Sequence, residues 1–287
     1  MLNSQPLGFY SSSQLIQDAR RHDIDVRGID VAISNWDATL EEGEDSTAVL
    51  RKQPAVRLGL NSVKGFNNGA AERLITARAE CPFRNVDDLA RRADLSVIEL
   101  DALAAAAALA SIAGHRRQAR WESASHRIER DLMREAPIDE PSPQLPLATE
   151  GCEIVDDYAS TGFTLRRHPL ALLRRRLSRM KLSSAADLCD TPNGRLVRTT
   201  GIVTVRQRPG TAKGTIFVTL EDETGVINVI VWNHVIQTQR RALLAASLLT
   251  VHGVWQRQGA VTHLIAEKLF DHSHLLGNLA VASRDFH

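Results

Sequence analysis

The sequence has few cysteines and no long apolar segment. Its 287 residues include three cysteines, Cys81, Cys152 and Cys189, which are far apart. An odd number of widely spaced cysteines without a CxxC pair argues against a disulfide framework, so we predict a cytoplasmic location. No apolar run approaches the roughly 20 residues that span a bilayer, and no membrane segment is therefore predicted.

Short motifs of the common enzyme classes are also missing. The sequence contains no GxxxxGKS/T, HExxH or GxSxG motif and no spacing typical of zinc ligands. The acids Glu221, Asp222 and Glu223 are adjacent and could ligate a metal, but neighbouring strand residues point to opposite faces. A hairpin turn is the favoured interpretation, and we predict no catalytic residue, metal site or cofactor in this chain.

Charge is balanced overall but unevenly distributed. The net charge is +1, yet residues 158–186 carry seven Lys or Arg and no acid. Five of these cations could line a nucleic-acid channel, or they could form the solvent-exposed face of an amphipathic helix, and both interpretations stay open. They are Arg174, Arg175, Arg176, Arg179 and Lys181.

The middle of the chain is predicted to be helical and to end in a linker. From residue 55 to 135 short helical segments alternate with turns, and Ser96 followed by Glu99 is typical of a capping box. Residues 136–150 contain four prolines and no periodicity. That composition indicates a linker between two domains.

Beyond residue 195 the pattern changes to β-strands. Five apolar, β-branched segments follow one another, with one helical stretch between the third and the fourth. The strand segments are 196–205, 215–222, 226–232, 248–255 and 261–269, and the helical stretch is 233–246. Few small β folds place a helix there, so the order predicts a five-stranded OB-fold β-barrel at 195–270 and an α+β multidomain chain.

The predicted barrel carries cationic loops. RQRPGTAKG (206–214) connects its first two strands and QRQGA (256–260) its last two. In an OB-fold these loops flank the surface that binds single-stranded nucleic acid. A solvated cationic hairpin is the alternative interpretation. The predicted DNA-binding cations are Arg206, Arg208, Lys213 and Arg257.

Aromatic residues on the predicted strands could stack on bases. Stacking is worth about 1–3 kcal/mol per base, and the candidates are Phe217, Trp232 and Trp255. Packing in the core is the alternative, and it is the commoner position for any single ring. We include Phe217 and Trp232 among the predicted DNA-binding residues.

A second predicted DNA-binding site lies in the helical region. LNSVKGFNNGAAERLITAR (60–78) has the layout of a helix, a tight hairpin and a second helix, which predicts a helical helix-hairpin-helix domain at 55–135. Glycines in the hairpin would let the backbone approach a phosphate, and free amides of the second helix would face the anion. A helical corner that ends in glycine is the alternative. The predicted DNA-binding residues are Lys64, Gly65, Asn67, Asn68 and Gly69.

Several segments together resemble one family. They are LGLNSVKGF, FRNVDDLARRADLS, DYASTGFTLRRHPL, VRQRPGTAKGTIFVTLEDETGVINVIVW and the terminal SRDFH. Along essentially its whole length the chain is similar to the C-terminal part of the bacterial error-prone C-family DNA polymerases, the damage-associated relatives of the DNA polymerase III alpha subunit. The start MLNSQPLGFY reads as the middle of an element, so we expect it to be truncated.

The resemblance implies an order of domains. In the family the hairpin region grips the duplex, and the OB-fold lies near the single-stranded template. The implied domains are the end of the fingers region as an α/β remnant (1–54), the helix-hairpin-helix domain (55–135), the linker (136–150), a helical connector (151–194), the OB-fold (195–270) and a C-terminal tail (271–287).

The resemblance also implies a function and its limits. The family catalyses DNA-directed DNA synthesis, a nucleotidyltransferase reaction, during damage-associated translesion replication and DNA repair. Its Mg²⁺-binding aspartates lie in a palm domain that these residues do not include, so no Mg²⁺ is expected here. We expect the chain to bind DNA without extending a primer when alone. A free-standing nucleic-acid-binding adaptor with the same two modules is the alternative.

The linker suggests a partner. QLPLA (144–148) resembles the short peptide that bacterial sliding clamps bind, with Gln144, Leu145 and Leu147 as candidate contacts. Ala148 stands where an aromatic anchor is expected, and an ordinary linker segment is the alternative. Other damage-response polymerase subunits are further expected partners, and no membrane partner is expected.

Overall fold

A computed structural model of the chain describes residues 1–5, 11–42, 53–125, 143–210, 214–259, 261–277 and 284–286, the last three for the backbone alone. The chain divides into two compact units, Met1–Leu165 and Arg166–His287. Each unit has a hydrophobic core of its own. Within the ranges just given, no helix combines the length and apolar character needed to cross a membrane.

The first unit is mainly helical. Its helices are α1 (Ser12–Arg21), α2 (Asn68–Glu80), α3 (Val86–Arg92), α4 (Val97–Ala105), α5 (Ala110–Ala113), α6 (Arg116–Ser125) and α7 (Glu150–Ser160). Short strands β1 (Val26–Arg27), β2 (Thr39–Glu41) and β3 (Ala55–Arg57) form a small sheet in the order β1-β3-β2. Arg57 Nε donates to Glu41 Oε1 at 2.8 Å, and this bond lowers the pKa of the Glu41 carboxyl. The ion pair therefore fastens β2 to β3.

Side-chain caps determine where the helices of this unit begin. Asn67 and Asn85 cap α2 and α3, and Ser96 caps α4. The capping box predicted at Ser96 is confirmed, because the Glu99 carboxylate accepts from the Ser96 amide at 2.8 Å. Leucines at helical spacing on α2, α3 and α4 then share one buried cluster. The caps and the cluster together position the hairpins between these helices.

The second unit is a closed barrel. Its helices are α8 (Pro169–Arg179), α9 (Ala185–Cys189) and α10 (Asn233–Ala245), and its strands are β4 (Leu196–Gln207), β5 (Ile216–Glu221), β6 (Val226–Val231), β7 (Leu248–Gln258), β8 (Val261–Asp271) and β9 (Arg284–Phe286). β4 pairs with β5 and with β7, which closes the order β4-β5-β6-β8-β7 into a ring. The predicted five-stranded barrel, its helix between the third and fourth strands and the α+β class are confirmed.

Strand alternation separates a filled interior from an outer surface. Val203, Val218, Val229, Val251 and Leu264 are completely buried in the interior cluster, and their neighbours along each strand point outward. β4 is long because it pairs with β7 up to Ile202 and with β5 from Ile202 onward. Beyond Ile202 the backbone of β9 lies parallel to β4 at Val205–Gln207. Part of the predicted C-terminal tail thus adds a strand to this sheet.

Candidate nucleic-acid interface

The first hairpin joins a 3-10 turn at Leu60–Ser62 to α2. Gly65 has φ +81°, the left-handed region that favours glycine, and a Cβ built there would meet no atom within 4 Å. Phe66 is buried in the helical core and anchors the hairpin. The hairpin therefore exposes its backbone at Gly65, while the buried Phe66 fixes the hairpin to the helical core.

The start of α2 can bind an anion through backbone amides. Asn67 Oδ1 caps the helix, and Asn67 Nδ2 donates to Glu99 Oε1 at 2.8 Å. Asn68 Nδ2 donates to Glu72 Oε1 at 2.8 Å. Both predicted asparagine side chains are thus engaged within the protein. The amides of Asn68 and Gly69 lie in the first turn, where no intrahelical acceptor exists, so they and the helix dipole are what the hairpin offers a phosphate.

The structure gives Lys64 a different role from the one predicted. Its Nζ donates to the carbonyl oxygens of Tyr158 and Ala159 at 2.9 Å each, and its amide donates to the Ser160 carbonyl at 2.9 Å. These carbonyls end α7, where a cation is favourable. Lys64 thus holds α7 against the hairpin, and its contact with DNA stays a prediction.

A second hairpin with the same local geometry is missing from the sequence-based prediction. Asp94 has φ +48°, Leu95 is buried and Ser96 caps the next helix, in the same order as Gly65 to Asn67. The repeated order of turn, apolar and capping residues is a signal that could have revealed it. The glycine that usually marks such a turn is replaced by Asp94, so the repeat is hard to see.

Charge distinguishes the two hairpins. The second contains Asp94, Glu99 and Asp101. Although burial alone would raise it, hydrogen bonds from Ser96 and Asn67 lower the pKa of Glu99, which is therefore charged. Asp94 and Asp101 would repel a phosphate at the second hairpin, whereas Glu99 also accepts from Asn67 and so adjoins both hairpins. Asp94 and Asp101 therefore favour the first hairpin as the anion site.

The barrel exposes two large rings side by side. Phe217 is 37% exposed on β5 and Trp232 is 47% exposed at the end of β6. Phe217 pairs with Ile230 across the strands, and Trp232 lies two residues beyond Ile230, directly after β6. We call this set, Phe217, Ile230 and Trp232, the aromatic face. It provides flat surfaces on which unpaired bases can stack.

The first cationic loop lies next to the aromatic face. Arg208 follows β4 directly and is exposed, and its guanidinium lies near Gly214, where the chain enters β5. Lys213, also predicted to bind DNA, lies outside the described residues. Arg208 is therefore the described cation of this loop that is positioned to reach a phosphate beside the aromatic face.

Arg206 does not lie in the loop as predicted. It is within β4, opposite Val218, and is 6% exposed. Its Nε donates to the Leu243 carbonyl at 2.8 Å and a terminal nitrogen donates to the Ala246 carbonyl. The physical reason is that β4 extends beyond the apolar run, so Arg206 closes the C-terminal end of α10 instead of pointing to solvent.

Arg257 differs from its predicted position in a loop, and Trp255 adopts the alternative of packing in the core. Arg257 lies within β7, and its guanidinium donates to the Cys189 carbonyl at the end of α9. Trp255 is 3% exposed and packs in the barrel interior, because it shares a face with the buried Val251. Base stacking by Trp255 is therefore excluded, and Arg257 serves a contact within the protein.

The adjacent acids form a turn, as predicted. Asp222 Oδ1 accepts from the Gly225 amide at 2.9 Å, and Asp222 Oδ2 accepts from the Ala185 amide at 2.8 Å. Arg174 binds Asp222 and Glu223. In the part of the chain that the structure describes, no three His, Cys, Asp or Glu side chains are grouped so that they could hold a metal ion.

The remaining cations of α8 lie on the outer side of an amphipathic helix. Leu170 and Leu177 are fully buried, whereas Arg175, Arg176 and Arg179 are exposed. The inward leucines agree with the amphipathic interpretation of this segment. The exposed arginines still leave nucleic-acid contact open.

The described part of the predicted linker, residues 143–149, has no regular structure but lies against α6. The Leu145 amide donates to Gln118 Oε1 at 3.2 Å, and the Leu145 carbonyl is 3.1 Å from His115 Nε2. Gln144 and Leu147 are exposed. The predicted partner contacts therefore differ, because Leu145 is held by its backbone while Leu147 projects into solvent.

Two family models match the chain. One is described as a helix-hairpin-helix motif and matches residues 23–119. The other is described as an OB-fold nucleic acid binding domain and matches residues 197–271. The first range contains both hairpins, and the second contains the barrel with its aromatic face.

Curated relatives match the whole chain. The error-prone DNA polymerase of Azoarcus sp. (strain BH72) is 55% identical over 287 residues, and that of Alkalilimnicola ehrlichii is 52% identical over 287 residues. The error-prone DNA polymerase of Bordetella parapertussis is 53% identical over 293 residues. Each match covers 100% of this chain and 27% of the relative, so the chain spans about a quarter of the length of these proteins.

Solved structures resemble small parts of the chain. Asparaginyl-tRNA synthetase from Pyrococcus horikoshii matches 27% of this chain and 20% of its own, at 25% identity and a TM-score of 0.24. The S. pombe Stn1-ten1 complex matches 27% of this chain and 57% of its own, at 20% identity and a TM-score of 0.23. Scores this low support no conclusion about function.

Proposed function

We propose that this chain binds DNA as part of a bacterial error-prone DNA polymerase. Its whole length is homologous to about a quarter of the length of each of the three enzymes above. In this proposal the first hairpin binds duplex DNA and the barrel binds single-stranded DNA. The enzyme as a whole carries out DNA-directed DNA synthesis in damage-associated replication and repair.

The exposed ring pair is the observation that carries the proposal. Phe217 and Trp232 place two large aromatic rings in water at one edge of the barrel, at 37% and 47% exposure. Exposed apolar rings beside a cation are typical of surfaces that bind unpaired bases, since every base has a π-face and every nucleotide a phosphate. Arg208 supplies the cation.

Catalysis is assigned to residues outside this chain. Phosphoryl transfer needs Mg²⁺ held by fixed carboxylates, and no carboxylate cluster in the described residues fits that role. The hairpin amides and the aromatic face instead orient the nucleic acid. Binding and positioning are therefore the part of the reaction that this chain's own residues perform.

Proposed partners other than DNA are the sliding clamp and other polymerase subunits. A clamp peptide must expose its anchoring side chains, and Leu147 is exposed. The Leu145 backbone is hydrogen-bonded to α6, so its side chain is the part of this residue that a clamp could contact. This contact is secondary to DNA binding in the proposal.

Binding of a labelled single-stranded oligonucleotide of about 16 nucleotides to the purified chain tests the proposal. Affinity is expected to fall steeply between about 50 and 200 mM salt. Phe217→Ala and Trp232→Ala are each expected to raise Kd about five-fold or more, because each removes a stacking surface.

Trp121→Ala is the matched control, because Trp121 is an exposed ring on α6 and has no place in the proposed site. It is expected to leave Kd unchanged. Equal affinity of all three variants and the parent would contradict the assignment of the aromatic face.

A further inference from the structure

A second outer surface of the barrel carries aromatic rings and cations. On β4, β7 and β8 the side chains that alternate with buried residues such as Val197, Val251 and Leu269 point outward. The strand register places Arg198, His252 and Lys268 side by side. Phe270 lies two residues beyond Lys268 on β8. We call the following set the imidazole surface: Arg198, His252, Lys268, Phe270, His272 and His274.

The rings of this surface form one row. The His252 and Phe270 centroids are 4.8 Å apart, Phe270 and His272 are 6.4 Å apart and nearly parallel at 18°, and His272 meets His274 edge-on at 5.8 Å. Phe270 is 41% exposed. Thr250 Oγ1 lies 2.7 Å from His272 Nδ1 and restrains that ring. The row is thus ordered before a ligand binds, which lowers the entropic cost of binding.

Two permanent cations flank His252. Arg198 and Lys268 are both exposed, and in the described ranges neither makes an ion pair. Burial, together with these two cations, lowers the pKa of His252, and burial also lowers the pKa of His272. At neutral pH the His252 and His272 rings therefore present uncharged faces beside the fixed positive charges of Arg198 and Lys268.

One acid, Asp271, adjoins this surface. It accepts from the Ser273 amide at 2.9 Å and from the Ser273 hydroxyl, which holds its carboxylate in the turn after β8 and leaves it charged. A row of flat rings with Arg198 and Lys268 beside it complements a strand of bases and phosphates. A duplex would fit less well, because its base faces are stacked inside.

We propose that the imidazole surface is a second binding site for single-stranded nucleic acid, separate from the aromatic face. The inference shares the ligand class with the proposed function but rests on different residues. β8 links the two surfaces, because Ile265 pairs with Ile230 of the aromatic face and Phe270 belongs to the imidazole surface. Five residues of strand separate them, about 16 Å, so a longer oligonucleotide can contact both.

The test measures binding of single-stranded oligonucleotides of about 8 and about 30 nucleotides to the full chain as a function of salt. Phe270→Ala is expected to weaken binding of the longer oligonucleotide about five-fold or more. Lys268→Glu is expected to weaken it as well and to reduce the slope of log K against log salt by about 0.7, the value for one phosphate contact. Arg21→Glu makes the same charge change at an exposed position on α1 and is expected to change neither quantity.

The outcomes separate this inference from the proposed function. Weakening by Phe270→Ala and Lys268→Glu but not by Phe217→Ala supports the imidazole surface and contradicts the aromatic face. If only Phe217→Ala weakens oligonucleotide binding, the imidazole surface is not a binding site. An effect of Lys268→Glu without one of Phe270→Ala also overturns it, because the rings then play no part. Circular dichroism and thermal unfolding of each variant confirm that the barrel is intact.

Discussion

At the residue scale, the cationic side chains differ in whether groups of the protein already accept their hydrogen bonds. Lys64, Arg206 and Arg257 each donate to carbonyl oxygens at the end of a helix, whereas Arg208 and Lys268 make no ion pair in the described parts of the chain. Carbonyls at a helix C-terminus carry partial negative charge and need donors. A cation used in this way has part of its hydrogen-bonding capacity occupied and its position fixed by the protein.

This distinction predicts opposite effects for two neighbouring arginines. Arg206→Met is expected to lower the free energy of unfolding by about 2–3 kcal/mol, because it removes two charge-assisted hydrogen bonds in a buried site. Arg208→Met is expected to change it by less than about 0.5 kcal/mol, as is usual for an exposed side chain. Urea unfolding of both variants measures the difference.

Oligonucleotide binding should reverse the order of the two variants. Arg208→Met is expected to weaken binding and to lower its salt dependence, whereas folded Arg206→Met should bind like the parent. Weak binding by Arg206→Met with unchanged stability would restore the role that the sequence pattern assigns to Arg206.

At the element scale, strand glycines allow the barrel to close. A Cβ built on Gly253 would lie 2.0 Å from the Ile265 carbonyl oxygen, and one on Gly201 would lie 2.7 Å from Leu220 Cβ. Gly253 also sits at the bulge where the register between β7 and β8 shifts. The close approach of backbone to backbone at this bulge is possible because glycine has no side chain.

Gly253→Ala is therefore expected to be severely destabilising, by more than about 3 kcal/mol, since the atom in the way is backbone that cannot rotate aside. Gly210→Ala is the control, because a Cβ at Gly210 would meet nothing within 4 Å. Thermal unfolding of both variants is the measurement. A Gly253→Ala barrel as stable as Gly210→Ala would show that β7 and β8 do not approach each other in this way.

At the scale of the whole molecule, the proposed function assigns DNA binding to this chain and DNA synthesis to residues outside it. The chain covers 27% of each of the three relatives, and in its described residues no three His, Cys, Asp or Glu side chains are grouped so that they could hold a metal ion. Separate units with separate cores can bind nucleic acid without the parts that hold Mg²⁺. Binding without synthesis is the expected behaviour of the isolated chain.

The purified chain is therefore expected to retain a primed template in a salt-dependent manner but to give no nucleotide-dependent primer extension with Mg²⁺ present. Gel analysis of a labelled primer after incubation with all four nucleotides measures this. A full-length relative assayed in parallel is the positive control. Extended products from the chain alone would refute the assignment of catalysis to residues outside it.

Local patterns in the sequence were sufficient for the elements and their order. The period-2 alternation of β4 to β8, the helix between β6 and β7, the capping box at Ser96 and the turn at Asp222 each depend on residues close together in the chain. Such features are determined by backbone geometry and neighbouring side chains, so a single sequence reveals them.

Tertiary structure alone decided which residues are free to bind. Lys64 meets carbonyls 94 and 95 residues away, and Arg257 meets one 68 residues away. The imidazole surface likewise joins β4 to the hairpin of β7 and β8, which lies far along the chain from β4. No local pattern encodes these contacts. The charge of a side chain is visible in the sequence, but the carbonyl that accepts its hydrogen bond is determined by how the helices and strands pack.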